Sequence, residues 1–169
     1  MDYMAIALTE LSSISERRIE RLINPEYGDL PPFLTNDPGL NSGFMMLQVT
    51  AAALTSACKV LAHPASVDSI PTSGNREDHV SMGMGAALKL KQVLGNLRKI
   101  LAIELLCASQ GIDFLYPLKP GVGGKKAYKL VRSVSPKLEV DRSLAPDIAL
   151  LEAIIARKEF AKILRELSE

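Results

Sequence analysis

Both histidines of the chain, His63 and His79, fall in one stretch, residues 63–83, together with Asp68, Asn75, Arg76, Glu77 and Asp78. Imidazoles and carboxylates brought together serve three kinds of chemistry: metal binding, activation of a nucleophile, and general acid–base work. Metal binding fits poorly, because the adjacent Glu77, Asp78 and His79 cannot all face one point. There is also no HExxH pattern or cysteine cluster, so no metal is expected. Ser66, Ser69, Ser73 and Ser81 share the stretch, but none sits in a nucleophile elbow. The plain reading of the histidines is that they cap helices or bond loop backbone. Glu77 has two readings. It pairs with Arg76 or caps the helix that begins after Gly83, or else it is a carboxylate in a cleft that binds a cationic group or accepts a proton. From chemistry alone the first is the plainer.

A second candidate is Gly121-Val122-Gly123-Gly124-Lys125. A phosphate-binding loop needs a strand before it and Ser or Thr after the lysine, and both are missing. A plain loop is expected.

The elements that position these residues are helical. Met4, Leu8 and Leu11, then Ile19, Leu22 and Ile23, give apolar steps over residues 2–23. Ser13 to Glu16 fits a capping box, so this segment is either two helices or one with a polar waist. Asn24-Pro25 ends it. Residues 24–43 form a Pro- and Gly-punctuated loop whose Leu30, Phe33, Leu34 and Leu40 should pack onto the body. Residues 44–62 predict an almost wholly apolar helix with a polar stripe of Gln48, Thr55, Ser56 and Lys59, surrounded by other helices, and Ala51–Ala53 would permit close approach. Residues 63–83 break every periodicity, and a long irregular segment between two strong helices points to function. Residues 84–110 predict a second long helix that is stopped by Gly111, with Gly95 at a tight crossing and Glu104 the lone charge of a buried end. Shorter helices follow at 125–134, 146–157 and 159–167. The expected fold is all-α: a single domain, an elongated bundle of two long antiparallel helices with shorter N- and C-terminal ones.

Composition removes several classes of function. Twenty Lys and Arg against 19 Asp and Glu leave a net charge of +1, which argues against a nucleic-acid footprint. Eight aromatic residues (Tyr 4, Phe 4) give little stacking surface. Residues 44–62 carry too many polar groups for a lipid-exposed span. Cys58 and Cys107 read as buried thiols of a reducing compartment, hence the cytoplasm, and no secretory signal is visible at the N-terminus.

Longer motifs surround the histidines. Asp37-Pro38-Gly39-Leu40-Asn41-Ser42-Gly43-Phe44-Met45 precedes Lys59 through Ser73 (KVLAHPASVDSIPTS), which is followed by Glu77-Asp78-His79-Val80-Ser81-Met82-Gly83. Ser15-Glu16-Arg17-Arg18-Ile19 and Leu144-Ala145-Pro146-Asp147-Ile148 flank them. In this order, over essentially the whole chain, they resemble the C-terminal part of the histidine ammonia-lyases, within the aromatic amino-acid lyase family. The resemblance implies a mostly α-helical homotetramer that eliminates ammonia through a 4-methylidene-imidazol-5-one group made from Ala-Ser-Gly. It implies L-histidine as the substrate and urocanate as the product. It also implies that Glu77 lines the substrate pocket, orienting and deprotonating histidine, with His63, Asn75, Arg76, Asp78 and His79 as its supporting loop. Phenylalanine-specific relatives look to carry an amide at that position. A carboxylate bonds an imidazole or ammonium and gains nothing from a bare phenyl ring, so the reading of Glu77 turns towards function.

This sequence also departs from the pattern. Ala-Ser-Gly does not occur; the nearest strings are Ala65-Ser66-Val67 and Ala108-Ser109-Gln110. Arg76 stands where the family has glutamine, Gly74 where it has alanine, and Ala57-Cys58 where it has Glu-Asn. Arg76 offers Glu77 a direct pairing that would compete with substrate. The expectation is therefore a chain with no cofactor of its own that is inactive alone. Its partner would be a companion N-terminal chain or segment holding the electrophile, and self-association is expected. A non-catalytic helical scaffold or relic, or a lyase for another amino acid, is the alternative.

Overall fold

A computed structural model describes residues 1–168. It is all-helical, with six α-helices among the described residues: α1 (Asp2–Ile23), α2 (Met45–Leu61), α3 (Gly83–Phe114), α4 (Val122–Arg132), α5 (Ala145–Ala156) and α6 (Glu159–Ser168). The spine is α3, with 32 residues; α1 and α2 pack along it and along each other, α5 lies on it, and α4 packs with α6. Only two isolated β-bridges occur among the described residues.

One continuous helix, α1, resolves the alternative left open by Ser13–Glu16. The serines are used inside the helix: Ser12 donates to the Thr9 carbonyl at 2.6 Å, and Ser15 donates to Glu104 on α3 at 2.5 Å. The polar waist is therefore a buried seam. Across it Gln48 donates to Glu16 at 2.9 Å, and Arg18 pairs with Glu104 at 2.5 Å. Asn24 is extended, as a residue before proline must be, and its side chain accepts from the Glu26 N–H at 3.0 Å.

The core runs along α3. Ile19, Leu34, Ile100, Ile103 and Leu151 are fully buried with Phe44, Leu106 and Val131 close behind. Each such side chain contributes about 1.5–3 kcal/mol over exposure. Cys58 and Cys107 are free and buried, and burial pushes both thiols up.

Several local expectations need correction. Gly111 does not stop α3, which continues to Phe114; it is a small residue at a contact, where an added Cβ would lie 3.3 Å from Leu30. At Gly95 a Cβ would meet nothing within 4 Å, so no tight crossing is made there. Leu40, expected to pack, is 85% exposed. Of the alanine triplet only Ala51 is fully buried, and α2 is covered on one side only, where Leu47, Ala51, Thr55 and Cys58 are buried against α1 and α3. Its other side exposes Met46 and Val60. Residues 122–124, expected in a loop, form the first turn of α4. A Cβ on Gly123 would lie 2.7 Å from Leu167, and one on Gly124 would lie 3.1 Å from Pro120, so packing explains both glycines. No helix among the described residues is long and apolar enough to cross a membrane.

Candidate functional site

Residues 62–82 join the C-terminus of α2 to the N-terminus of α3, at the end of the molecule where α1 begins. The base of this loop is tied down. Asp2, in the first turn of α1, accepts the Ser66 N–H at 2.8 Å, and that backbone bond holds its carboxyl below the usual range. Lys89 on α3 donates to the His63 carbonyl. Farther out, the Ser69 hydroxyl accepts from the Val80 N–H at 2.9 Å and closes the loop on itself.

The tip is a small hairpin. Thr72 and Glu77 form an antiparallel bridge, with the Thr72 N–H donating to the Glu77 carbonyl at 2.9 Å. Between them Ser73, Gly74 and Asn75 all have positive φ, at 55°, 66° and 65°. Gly74 takes this conformation freely and Asn75 tolerates it, whereas Ser73 is strained there. Strain of this kind persists where neighbouring structure holds it, and it clusters at functional sites. The result is a fixed orientation for Glu77, whose carboxylate accepts from the Thr72 hydroxyl at 3.2 Å.

Glu77 is exposed, as are His63, Asn75, Arg76, Asp78 and His79. The two plainer roles for Glu77 are absent. Arg76 makes no ion pair with it among the described residues, and α3 starts at Gly83 with Met82 at its N-cap and no side-chain cap bond there. Neither histidine caps a helix. His79 lines a cavity of about 260 Å³ with Asp68, Ser66 and Ser81 behind the hairpin, and Glu77 lies outside it. Thus Glu77 is brought to Thr72, and His79 to Asp68's cavity, but no hydrogen bond joins Glu77 to either histidine among the described residues. The residues missed in the sequence are Thr72, Asp2 and Lys89. Of these only Thr72 leaves a signal, as the residue opposite Glu77 across the Gly74-Asn75 turn.

No group of three or more His, Cys, Asp and Glu side chains that could hold a metal occurs among the described residues. The electrophile implied by the resemblance does not fit this chain. The Ser66 N–H is committed to Asp2, Ser109 is buried within α3, and neither is followed by glycine. No step through that group is assigned to these residues.

The family model for aromatic amino acid lyases matches residues 1–133. The chain belongs to that family. It is 56% identical over 165 residues to the histidine ammonia-lyase of Myxococcus xanthus, covering 98% of this chain and 32% of that protein. The crystal structure of histidine ammonia-lyase from Trypanosoma cruzi superposes with a TM-score of 0.94 at 50% identity, over 98% of this chain and 32% of that one. Tyrosine aminomutase from Streptomyces globisporus superposes with a TM-score of 0.91 at 41% identity, again over 98% and 32%. The chain thus spans about a third of the length of these relatives. One backbone serves relatives with different names.

Proposed function

We propose that this chain is the C-terminal part of a histidine ammonia-lyase, presenting Glu77 to a substrate pocket that another chain or segment completes. One observation carries the reading. In a chain 56% identical to a histidine ammonia-lyase, Glu77 stands exposed on a strained hairpin, oriented by Thr72 and not consumed by Arg76 or by a helix end. A carboxylate so held accepts a hydrogen bond from an imidazole N–H or an ammonium, and removes a proton once water is excluded from around it. Glu77 is exposed and no described residue encloses it, so the partner must exclude that water.

The same reading accounts for the uncovered apolar side chains near the loop. Tyr3 is 91% exposed, Val60 75% and Met84 74%. Apolar side chains left this exposed around one loop fit an interface, here with the rest of an oligomeric lyase. The two buried thiols suit the reducing cytoplasm.

Mixing the chain with a segment of a relative that carries Ala-Ser-Gly tests the proposal. The mixture should convert L-histidine to urocanate, and each part alone should not. Urocanate formed by the isolated chain would sink the reading. Stable association without activity would favour the scaffold or relic, which Ala57-Cys58 and Arg76 favour as departures from the family pattern. Activity on tyrosine or phenylalanine in place of histidine would favour another substrate.

A further inference from the structure

Six basic and no acidic residues lie in 114–138, in a chain whose overall charge is only +1. Two of the six are neutralised, Lys126 by Glu166 at 2.7 Å and Arg132 by Asp113 at 2.5 Å. The other four, Lys119, Lys125, Lys129 and Lys137, have no carboxylate partner among the described residues, and all four line one cavity of about 420 Å³. Asp113 also lines it but is already bonded to Arg132 and to the Tyr128 hydroxyl. Ammonium groups gathered around a concavity repel one another and focus a positive potential into it. That arrangement favours a multiply charged anion; a single carboxylate would leave most of the four uncompensated.

The walls say what the anion carries. Between the lysines the surface is apolar, and it includes the rings of Tyr116 and Tyr128. Tyr128 is fixed at its hydroxyl by Asp113 at 2.5 Å, so its ring is a preset surface, and Tyr116 is 82% exposed. Aromatic faces stack on planar rings, and base–aromatic stacking adds to phosphate binding. The first turn of α4, whose N–H groups have no partner within the helix, lies between Pro120 and Lys125, both of which line the cavity. The volume lies within the range of small-ligand sites, about 300–1,000 Å³.

We infer that this cavity binds an organic polyanion with a flat ring, of the nucleoside di- or triphosphate class. It is separate from the Glu77 loop and does not depend on the proposed lyase role. Nothing here makes it a phosphate-binding loop of the strand-preceded kind: the glycines answer to Leu167 and Pro120, and the lysines supply the recognition.

Calorimetric titration of the full chain with ADP, ATP, adenosine and tripolyphosphate, without magnesium, tests this. ADP and ATP should bind saturably in the micromolar range, more weakly as salt rises. Adenosine should bind at least about tenfold more weakly, and tripolyphosphate should bind measurably but less tightly than ATP. Lys125→Gln with Lys129→Gln should weaken ADP by about tenfold or more, while Lys126→Gln, outside the cavity, stays within about twofold. All four lysines end in solvent, so the melting curves of the variants should match the parent. Three results would overturn the inference. The first is no binding of ADP or tripolyphosphate at millimolar concentration. The second is a double variant that binds as the parent does. The third is tripolyphosphate binding as tightly as ATP, which would leave the rings without a role.

Discussion

At its C-terminal end α3 is gripped by a dense set of side-chain bonds, in which Arg132 Nε alone among the described residues is buried without a hydrogen-bond partner. Gln110, fully buried, donates to the Leu34 and Leu138 carbonyls at 3.2 and 2.8 Å and accepts from the Leu138 N–H at 3.1 Å. Nearby Arg132 and Tyr128 converge on Asp113, and the Asp141 carboxylate accepts the Ser42 and Gly43 N–H groups. At its N-terminal end the same helix emerges from a loop held by Asp2, Lys89 and Ser69, with an exposed tip and a carboxylate bonded to one threonine. The first region completes nearly all of its interactions within these residues, Arg132 Nε apart. The second presents a polar group without enclosing it, and that is how a shared site differs from a scaffold.

The largest expected effect breaks the gripped end. Gln110→Ala would strand two buried carbonyls and one N–H, each worth about 1–3 kcal/mol when left unsatisfied. A loss of roughly 3 kcal/mol or more should appear as a lower urea midpoint at an unchanged slope. A loss below about 1 kcal/mol would show that water replaces the amide and that this end is not dry.

A middle-sized effect is expected at Arg142 and Asp147, paired at 2.7 Å. Burial raises the Asp147 carboxyl, but the hydrogen bonds from Arg142 and Ser135 outweigh it, so the group sits below its usual 3.8. Because the folded value is depressed, the stability it contributes is present above about pH 4 and is lost as pH falls through the lower folded value. Arg142→Gln should cost about 1–2 kcal/mol near neutrality, less than for a fully buried pair since Arg142 is partly exposed. It should also shift the onset of acid unfolding to higher pH. Thermal midpoints across pH 2–7 check both, and an onset that does not move would contradict the assignment.

The smallest effect belongs to the loop. Glu77→Gln should change the stability of the isolated chain by less than about 0.5 kcal/mol, as for exposed positions without a structural role. A larger drop in melting temperature would make Glu77 a structural residue and erase the contrast between the two ends.

Legibility in the sequence follows the same division. Helices whose apolar periodicity meets a partner inside the chain, such as α1 and α3, stood out in the residues themselves. What misled was small or polar residues with long-range duties. Gly111 looks like a stop signal but is a contact with Leu30, and Ser13–Glu16 looks like a cap but belongs to a seam with Glu104. Local pattern carries no information about a neighbour 89 residues away. The loop's importance was visible as broken periodicity, and Glu77 was visible through resemblance. Its holder Thr72 leaves only the faint signal of standing opposite Glu77 across the Gly74-Asn75 turn, and the three left-handed residues between them leave none, because a hairpin tip of six residues, Thr72 to Glu77, has no period to read. The uncovered side of α2 was likewise hidden: an apolar helix reads the same whether its neighbours lie in its own chain or in another.

The central claim is that Glu77 serves a pocket completed from outside this chain. The most direct test is the rate of urocanate formation from L-histidine by the reconstituted mixture, with the parent chain and with Glu77→Gln. The variant should assemble equally well and lose about 10²- to 10⁴-fold in kcat, the usual contribution of a positioned base. Equal rates for the two mixtures would contradict the claim.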